Sequence, residues 1–199
     1  MRVYSIIFLF SIISTLAVKG QSYKQPLDIT AYKHHIAYED HKIAFYTQPS
    51  DKNLRKPDPL SNYYWFSNGQ IRFTQGGYSG KLIHGLYSDY YLNNQLKEQG
   101  YFNMGLKEGE WKLWNEAGAL KARINYRRGE ANGTFYKYNN SGQLTEEGSY
   151  TNGKINGRLK KYITPDSIKL EKYKNGIIQP PQDNAQQGWL KRLFRKKKA

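Results

Sequence analysis

The chain has 199 residues, with 31 Lys and Arg against 16 Asp and Glu, 18 Tyr, 18 Gly and no Cys. That length holds one or at most two domains, and the lack of cysteine excludes disulfide scaffolds, thiolate metal sites, a cysteine nucleophile and an acylated N-terminal cysteine. With 38% apolar residues and only two Met, the apolar mass is aromatic (eight Phe, four Trp and the tyrosines), which points to a β-rich, turn-rich protein without a large aliphatic core.

Residues 1–20 read as a signal peptide. Arg2 gives a positive start, Val3 to Val18 is an apolar run with small polar interruptions, and Val18 and Gly20 suit the −3 and −1 sites of a cut before Gln21. The run is short for a spanning helix of roughly 20 residues, and an uncleaved anchor is the alternative. The mature protein is therefore expected outside the cytoplasm, in the periplasm or outer envelope. Residues 21–61 carry Pro26, Pro49, Pro57 and Pro59 and form an N-terminal segment with room for a capping strand or two. His34, His35 and His41 lie near Glu39 and Asp40 there, but the His-Glu-x-x-His spacing of a zinc helix is absent. Adjacent histidines on a strand also point to opposite faces.

The body, residues 62–177, is a repeat. Gly85, Gly109, Gly133 and Gly157 recur every 24 residues. Each is followed by Leu86-Tyr87, Glu110-Trp111, Thr134-Phe135 or Arg158-Leu159, and three residues later by Tyr90, Trp114, Tyr138 or Tyr162. Turn residues come next (Asn93-Asn94-Gln95, Glu116-Ala117-Gly118, Asn140-Ser141-Gly142), then Leu96, Leu120, Leu144 or Ile168. An aromatic and a glycine close each unit, as in Phe102 with Gly105 and Tyr126 with Gly129, and the last unit is one residue short. A degenerate fifth copy, Tyr63 to Ile71 and on to Gly85, precedes the four. Each unit predicts strand, turn, strand, turn, with glycine and asparagine where the chain reverses. Single hairpins are too small to be stable alone, so stacking neighbours builds one elongated antiparallel sheet, an all-β fold. The two first-strand aromatics are three residues apart, which breaks one-sided alternation and implies a bulge or an irregular corner.

The pattern Gly-x-[Tyr/Phe]-x-x-Gly-x-x-x-Gly-x-[Trp/Phe]-x-x-[Trp/Tyr], seen in Gly148-Ser149-Tyr150 to Gly157 and in Gly100-Tyr101-Phe102 to Glu110-Trp111, resembles the MORN repeat in its bacterial variant. It is similar to exported repeat proteins labelled as antitoxin components of toxin–antitoxin pairs. The resemblance spans about residues 62 to 177 and implies a sheet of stacked hairpins. The sequence departs from it where Leu159 replaces an aromatic.

Catalytic chemistry is not written in the chain. Glu108 and Glu110 flank a glycine and Glu146 and Glu147 are neighbours, so neither pair spans a cleft as a glycosidase requires. Gly76-Gly77-Tyr78-Ser79-Gly80 lacks the Lys-Ser/Thr of a phosphate loop. His84 precedes a repeat glycine and reads as a turn residue. No catalytic, cofactor or metal set is identified, and the expectation is a non-enzyme.

Two binding features remain. Trp111, Trp114, Tyr136 and Tyr138, interleaved with basic residues, are candidates for a partner surface, although rings so placed also suit the core of a thin sheet. After a linker at residues 178–188 comes the tail 189–199. Drawn as a helix it places Trp189, Leu190, Leu193 and Phe194 on one side and Lys191, Arg192, Arg195 and Lys196 around the rest, a form suited to an anionic membrane or an acidic partner. Six of the mature chain's thirteen net charges lie in this tail, leaving residues 21–188 at only +7. Nucleic acid is not an expected partner of an exported chain. The expected function is protein binding or scaffolding at the cell envelope, with a toxin-neutralising antitoxin or immunity role as the alternative. A carbohydrate-binding role would require an aromatic platform open to solvent.

Overall fold

The computed structural model describes residues 32–49, 56–164 and 167–180. The signal segment and the basic tail lie outside the described residues. Fifteen strands follow one another: β1 (Lys33–Ala37), β2 (His41–Tyr46), β3 (Asn62–Ser67), β4 (Gln70–Gln75), β5 (Lys81–Leu82), β6 (Gly85–Tyr91), β7 (Leu96–Asn103), β8 (Leu106–Trp114), β9 (Leu120–Arg127), β10 (Glu130–Tyr138), β11 (Leu144–Thr151), β12 (Lys154–Ile155), β13 (Gly157–Thr164), β14 (Ser167–Lys174) and β15 (Ile177–Gln179). Twelve make one sheet, in the order β1-β2-β6-β7-β8-β9-β10-β11-β13-β14-β15 with β12 also paired to β11, and all its pairings are antiparallel. The elongated sheet of hairpins that the 24-residue period implies is therefore present.

Two kinds of turn alternate along it. At one edge the loops at Asn93–Gln95, Glu116–Gly118 and Asn140–Gly142 are closed by Asn side chains, as where Asn139 Oδ1 accepts from the Ser141 and Gln143 amides at 3.0 and 2.9 Å. At the other edge are two-residue turns, Met104-Gly105, Arg128-Gly129, Asn152-Gly153 and Asn175-Gly176, with positive φ at both positions. Paired positive φ matches the right-handed twist of the flanking strands. Each of these turns is bonded to the unit before it. The N–H of Gly105, Gly129, Gly153 and Gly176 donates to the carbonyl of Ile83, Lys107, Ala131 and Ile155, at 2.7, 2.9, 2.9 and 2.8 Å.

The 24-residue glycines are not at the turns. Gly109 and Gly133 lie inside β8 and β10, and Gly133 has φ +100° at a corner where the β9–β10 register jumps between Ala131 and Phe135. A corner thus sits at the glycine, and the irregularity expected between the two aromatics is present as well, with register shifts at Asp89/Tyr90, Leu113/Trp114 and Lys137/Tyr138. Those aromatics still alternate: an odd separation along a strand sends Trp111 and Trp114 to opposite faces. The jump from Leu113↔Ala122 to Trp114↔Leu120 falls on the return strand at Lys121.

On the inner face, one row of registered residues runs Tyr87–Gly100 in the first unit and Trp111–Ile124–Phe135–Gly148 across the next strands, with Leu159 beyond. Phe135 is fully buried although the sheet is one layer thick there, because its ring lies over backbone; Trp111, also fully buried, lies over backbone within the main core. A Cβ at Gly100 would stand 2.2 Å from the Trp111 ring, and one at Gly148 would stand 2.8 Å from Phe135.

The degenerate fifth copy does not extend the sheet. Its residues form a separate three-stranded sheet, β4-β3-β5, laid over the inner face of the N-terminal half. The place beside β6 is taken by β2, with Ile43↔Asp89 and Ala44↔Ser88 in register. Tyr64, Phe66 and Ile71 then pack against Phe45, Ile83, Phe102 and Trp111, the main core. Trp65, Tyr63 and Leu82 form a second cluster.

Glycine substitutions test this construction by urea denaturation. Gly133→Val should cost about 1–3 kcal/mol through backbone strain, while the exposed Lys121→Ala stays within about 0.5 kcal/mol. Gly100→Ala should cost about 1–3 kcal/mol by overpacking against Trp111. Gly77→Ala should cost far less, since nothing lies within 4 Å of the added carbon.

Candidate functional site

The outer face carries most of the candidates that lie within the repeats, the tail candidates lying outside the described residues. Lys112, Arg123 and Tyr136 are in register across β8, β9 and β10, so Trp114 and Tyr138, each two residues further along, share their side of the sheet. Trp111 is separated from them: it lies in the core, with Lys107 Nζ 3.8 Å from its ring centroid. Three of the four proposed partner-binding residues thus share one surface and the fourth is structural.

The repeat multiplies this surface. Tyr90↔Leu96, Trp114↔Leu120, Tyr138↔Leu144 and Tyr162↔Ile168 are registered pairs that recur on the same side of successive units. They form an aromatic–aliphatic stripe beside the wide loops. Next to it runs a charged row. Glu110 accepts from Arg123 at 2.5 Å and lies 3.3 Å from Lys112, and Arg123 stacks 5.3 Å from the Tyr136 ring. Glu147 accepts from Lys160 and from the Tyr162 hydroxyl, each at 3.1 Å. These partners hold the carboxyls of Glu147 and, through Arg123 and Lys112, Glu110 below their usual range.

Charge is unevenly placed along the sheet. Residues 32–119 contain ten Lys and Arg against nine Asp and Glu, whereas residues 120–180 contain twelve against five. Large apolar side chains are exposed at both ends, as Leu60 (79%) toward the N-terminus and Leu170 (62%) and Ile177 (68%) toward the C-terminus show. On the outer face of β13 and β14, Leu170 sits opposite Lys160 and Lys172 opposite Arg158. On the inner face Lys161 and Lys169 grip Glu171 at 2.8 and 3.0 Å and bring its carboxyl down to about 2.

The histidines do not converge. His34 stacks between Phe45 and Phe66 and bonds Thr47 Oγ1 at 3.0 Å, and burial lowers its pKa. His41 pairs with Asp40 at 2.6 Å. Among the described residues no three His, Asp or Glu side chains come together as a metal site. His84 has a role that sequence reasoning did not give it: its Nδ1 accepts the Met104 N–H at 3.2 Å, which ties the strand entry to the following turn.

One buried carboxyl stands out. Asp89 faces the inner side with Glu98 directly opposite and Lys97 Nζ at 3.7 Å, and its Oδ1 has no hydrogen-bond partner among the described residues. Burial raises its pKa, with Lys97 and His41 opposing the shift and Glu98 adding to it.

These features define a class: a β-repeat protein with a one-sided core and a solvent-facing stripe, built for surface contact. Three consecutive segments, residues 83–104, 107–128 and 131–152, match the MORN repeat variant. Their starts fall 24 residues apart, and the chain is a MORN-like repeat protein. Repeats of this kind are generally binding modules for proteins or membranes. No curated protein matches the chain.

Asp89 gives a signed pH test. A carboxyl whose pKa is raised by folding contributes stability below its unfolded value of 3.8 and loses that contribution as pH rises through the folded value. Asp89→Asn should therefore raise Tm at pH 7, and the gain should shrink as pH falls below 4. Equal Tm differences at both ends of the range would contradict the assignment.

Proposed function

We propose that this protein is an exported, non-enzymatic binding module of the bacterial cell envelope, whose partner docks on the outer face of the repeat sheet. The observation that carries this reading is the stripe of Tyr90, Trp114, Tyr138 and Tyr162 with its leucines, repeated in register beside basic side chains. Tyr, Trp and Arg dominate the energetics of protein interfaces because they combine large apolar area with a polar handle. The excess of Lys and Arg beyond residue 120 favours a partner with an acidic surface. The signal-like N-terminus supports export.

An antitoxin or immunity role would use the same face, and the identity of the captured partner separates the two. Residues 21–199 are immobilised and exposed to the native envelope fraction. A stoichiometric partner retained by the wild type and lost by Trp114→Ala/Tyr138→Ala supports outer-face docking; if that partner is a toxin, the immunity reading replaces the scaffold. Retention equal in both proteins, or no partner at all, refutes the docking face.

The basic tail is proposed to add contact with an anionic membrane. Each basic residue near such a surface contributes about 1 kcal/mol. Removing residues 188–199 should leave Tm unchanged and lower binding to phosphatidylglycerol vesicles by more than about tenfold. Equal vesicle binding by both forms would contradict it.

A further inference from the structure

At the N-terminal end of the outer face a cleft of about 360 Å³ opens between the first repeat and the segment before it. Tyr32, Tyr46, Pro49, His84, Leu86 and Tyr101 line it. Its volume is within the range of ~300–1,000 Å³ usual for small-ligand sites. Leu86 is 49% exposed and Tyr101 46%, so the lining is open to solvent.

We propose that this cleft binds a neutral sugar ring of a glycan. No Asp, Glu, Lys or Arg lines it, in a chain where 24% of residues are charged. Among the described residues the one cation set against a lining ring, Lys33 over Tyr46 at 5.9 Å, lies outside the lining, so the site offers a ligand rings and a hydrogen-bond donor in place of a charge partner. The phenol faces carry negative quadrupole charge and attract the polarised C–H patches of a pyranose. His84 supplies direction. Because its Nδ1 accepts the Met104 N–H, the neutral imidazole carries its hydrogen on Nε2, a donor for a sugar hydroxyl. A purely apolar ligand would leave that donor unpaired, which is costly once the cleft is closed to water. A sugar satisfies the rings and the donor together.

The cleft is held in shape by the backbone. The His84 N–H donates to the Tyr46 carbonyl at 2.9 Å, and the Thr47 N–H donates to the Tyr32 carbonyl at 2.9 Å. The ring of His84 is set edge-on to Tyr101 at 6.0 Å. Little ordering is left to be done on binding, which favours weak-contact ligands such as sugars.

The test is a titration of ¹⁵N-labelled residues 21–199 with hexamers of glucose and of N-acetylglucosamine, and with a proline-rich decapeptide, which would also suit an aromatic cleft. Saturable shifts confined to the amides of residues 46–48, 84–86 and 101 with at least one sugar are expected. Tyr101→Ala should weaken binding about tenfold, Tyr101→Phe should retain it, and His84→Asn should weaken it while keeping an acceptor for the Met104 amide. Trp114→Ala/Tyr138→Ala should bind the sugar like the wild type, which separates this site from the protein-docking stripe. Binding of the peptide alone, no saturable shift with either sugar at about 20 mM, or full affinity in a folded Tyr101→Ala protein would overturn the proposal.

Discussion

The seating of an aromatic ring on a glycine governs this molecule. The C-terminal half of the sheet has no second layer in which to bury side chains, yet Phe135 there is as wholly excluded from water as Trp111 in the covered half. They achieve this by lying flat across the neighbouring strand, where Gly100 and Gly148 present bare backbone. Each ring then touches the next row's aromatic, as Phe135 touches Tyr150 at 4.5 Å and Trp111 touches Phe102 at 4.9 Å. A thin core of rings on backbone needs little aliphatic volume, which suits a chain in which 15% of all residues are aromatic.

From that constraint follows the division of labour between the two faces. The inner face is consumed by folding, and in its N-terminal half it also receives the β3–β5 sheet, whose Tyr64 ring lies 5.0 Å from Phe102. The outer face is left for contact, and the odd spacing of aromatics along each first strand supplies it with rings. One ring of each pair builds the core and the other faces outward. Cross-strand ion pairs such as Arg123–Glu110 and Lys160–Glu147 order the outer face without neutralising its basic end. Exposed pairs of this kind contribute little stability, so their effect is mainly on the shape and charge pattern offered to a partner.

Much of the fold was legible because the repeat is. The 24-residue period, the glycine and asparagine positions and the aromatic spacing define stacked hairpins before any coordinate is known. Two things were hidden. Tyr63 to Ile71 look like another unit, but strand addition at β6 is a competition, and β2 wins it with Ile43 and Phe45; the losing hairpin covers the core instead. The aromatic cleft was also out of sight, because Tyr32 and Tyr46 are brought beside His84 and Tyr101 only by the β2–β6 pairing, a contact between segments that share no motif. Trp111 and Trp114, equivalent in the linear pattern, differ because a spacing of three is odd on a strand.

The small turns have a mechanical consequence. Since each turn glycine is bonded to the carbonyl of the unit before it, a hairpin is held by its predecessor and in turn holds its successor. Among the described residues the last hairpin has only the first of these attachments, while the N-terminal units are further strapped by the β3–β5 sheet. Tension applied at the C-terminus would thus peel the sheet from that end one hairpin at a time, each release freeing about 80 Å of chain. The N-terminal end would yield last, giving the molecule the character of a zipper with one fixed stop.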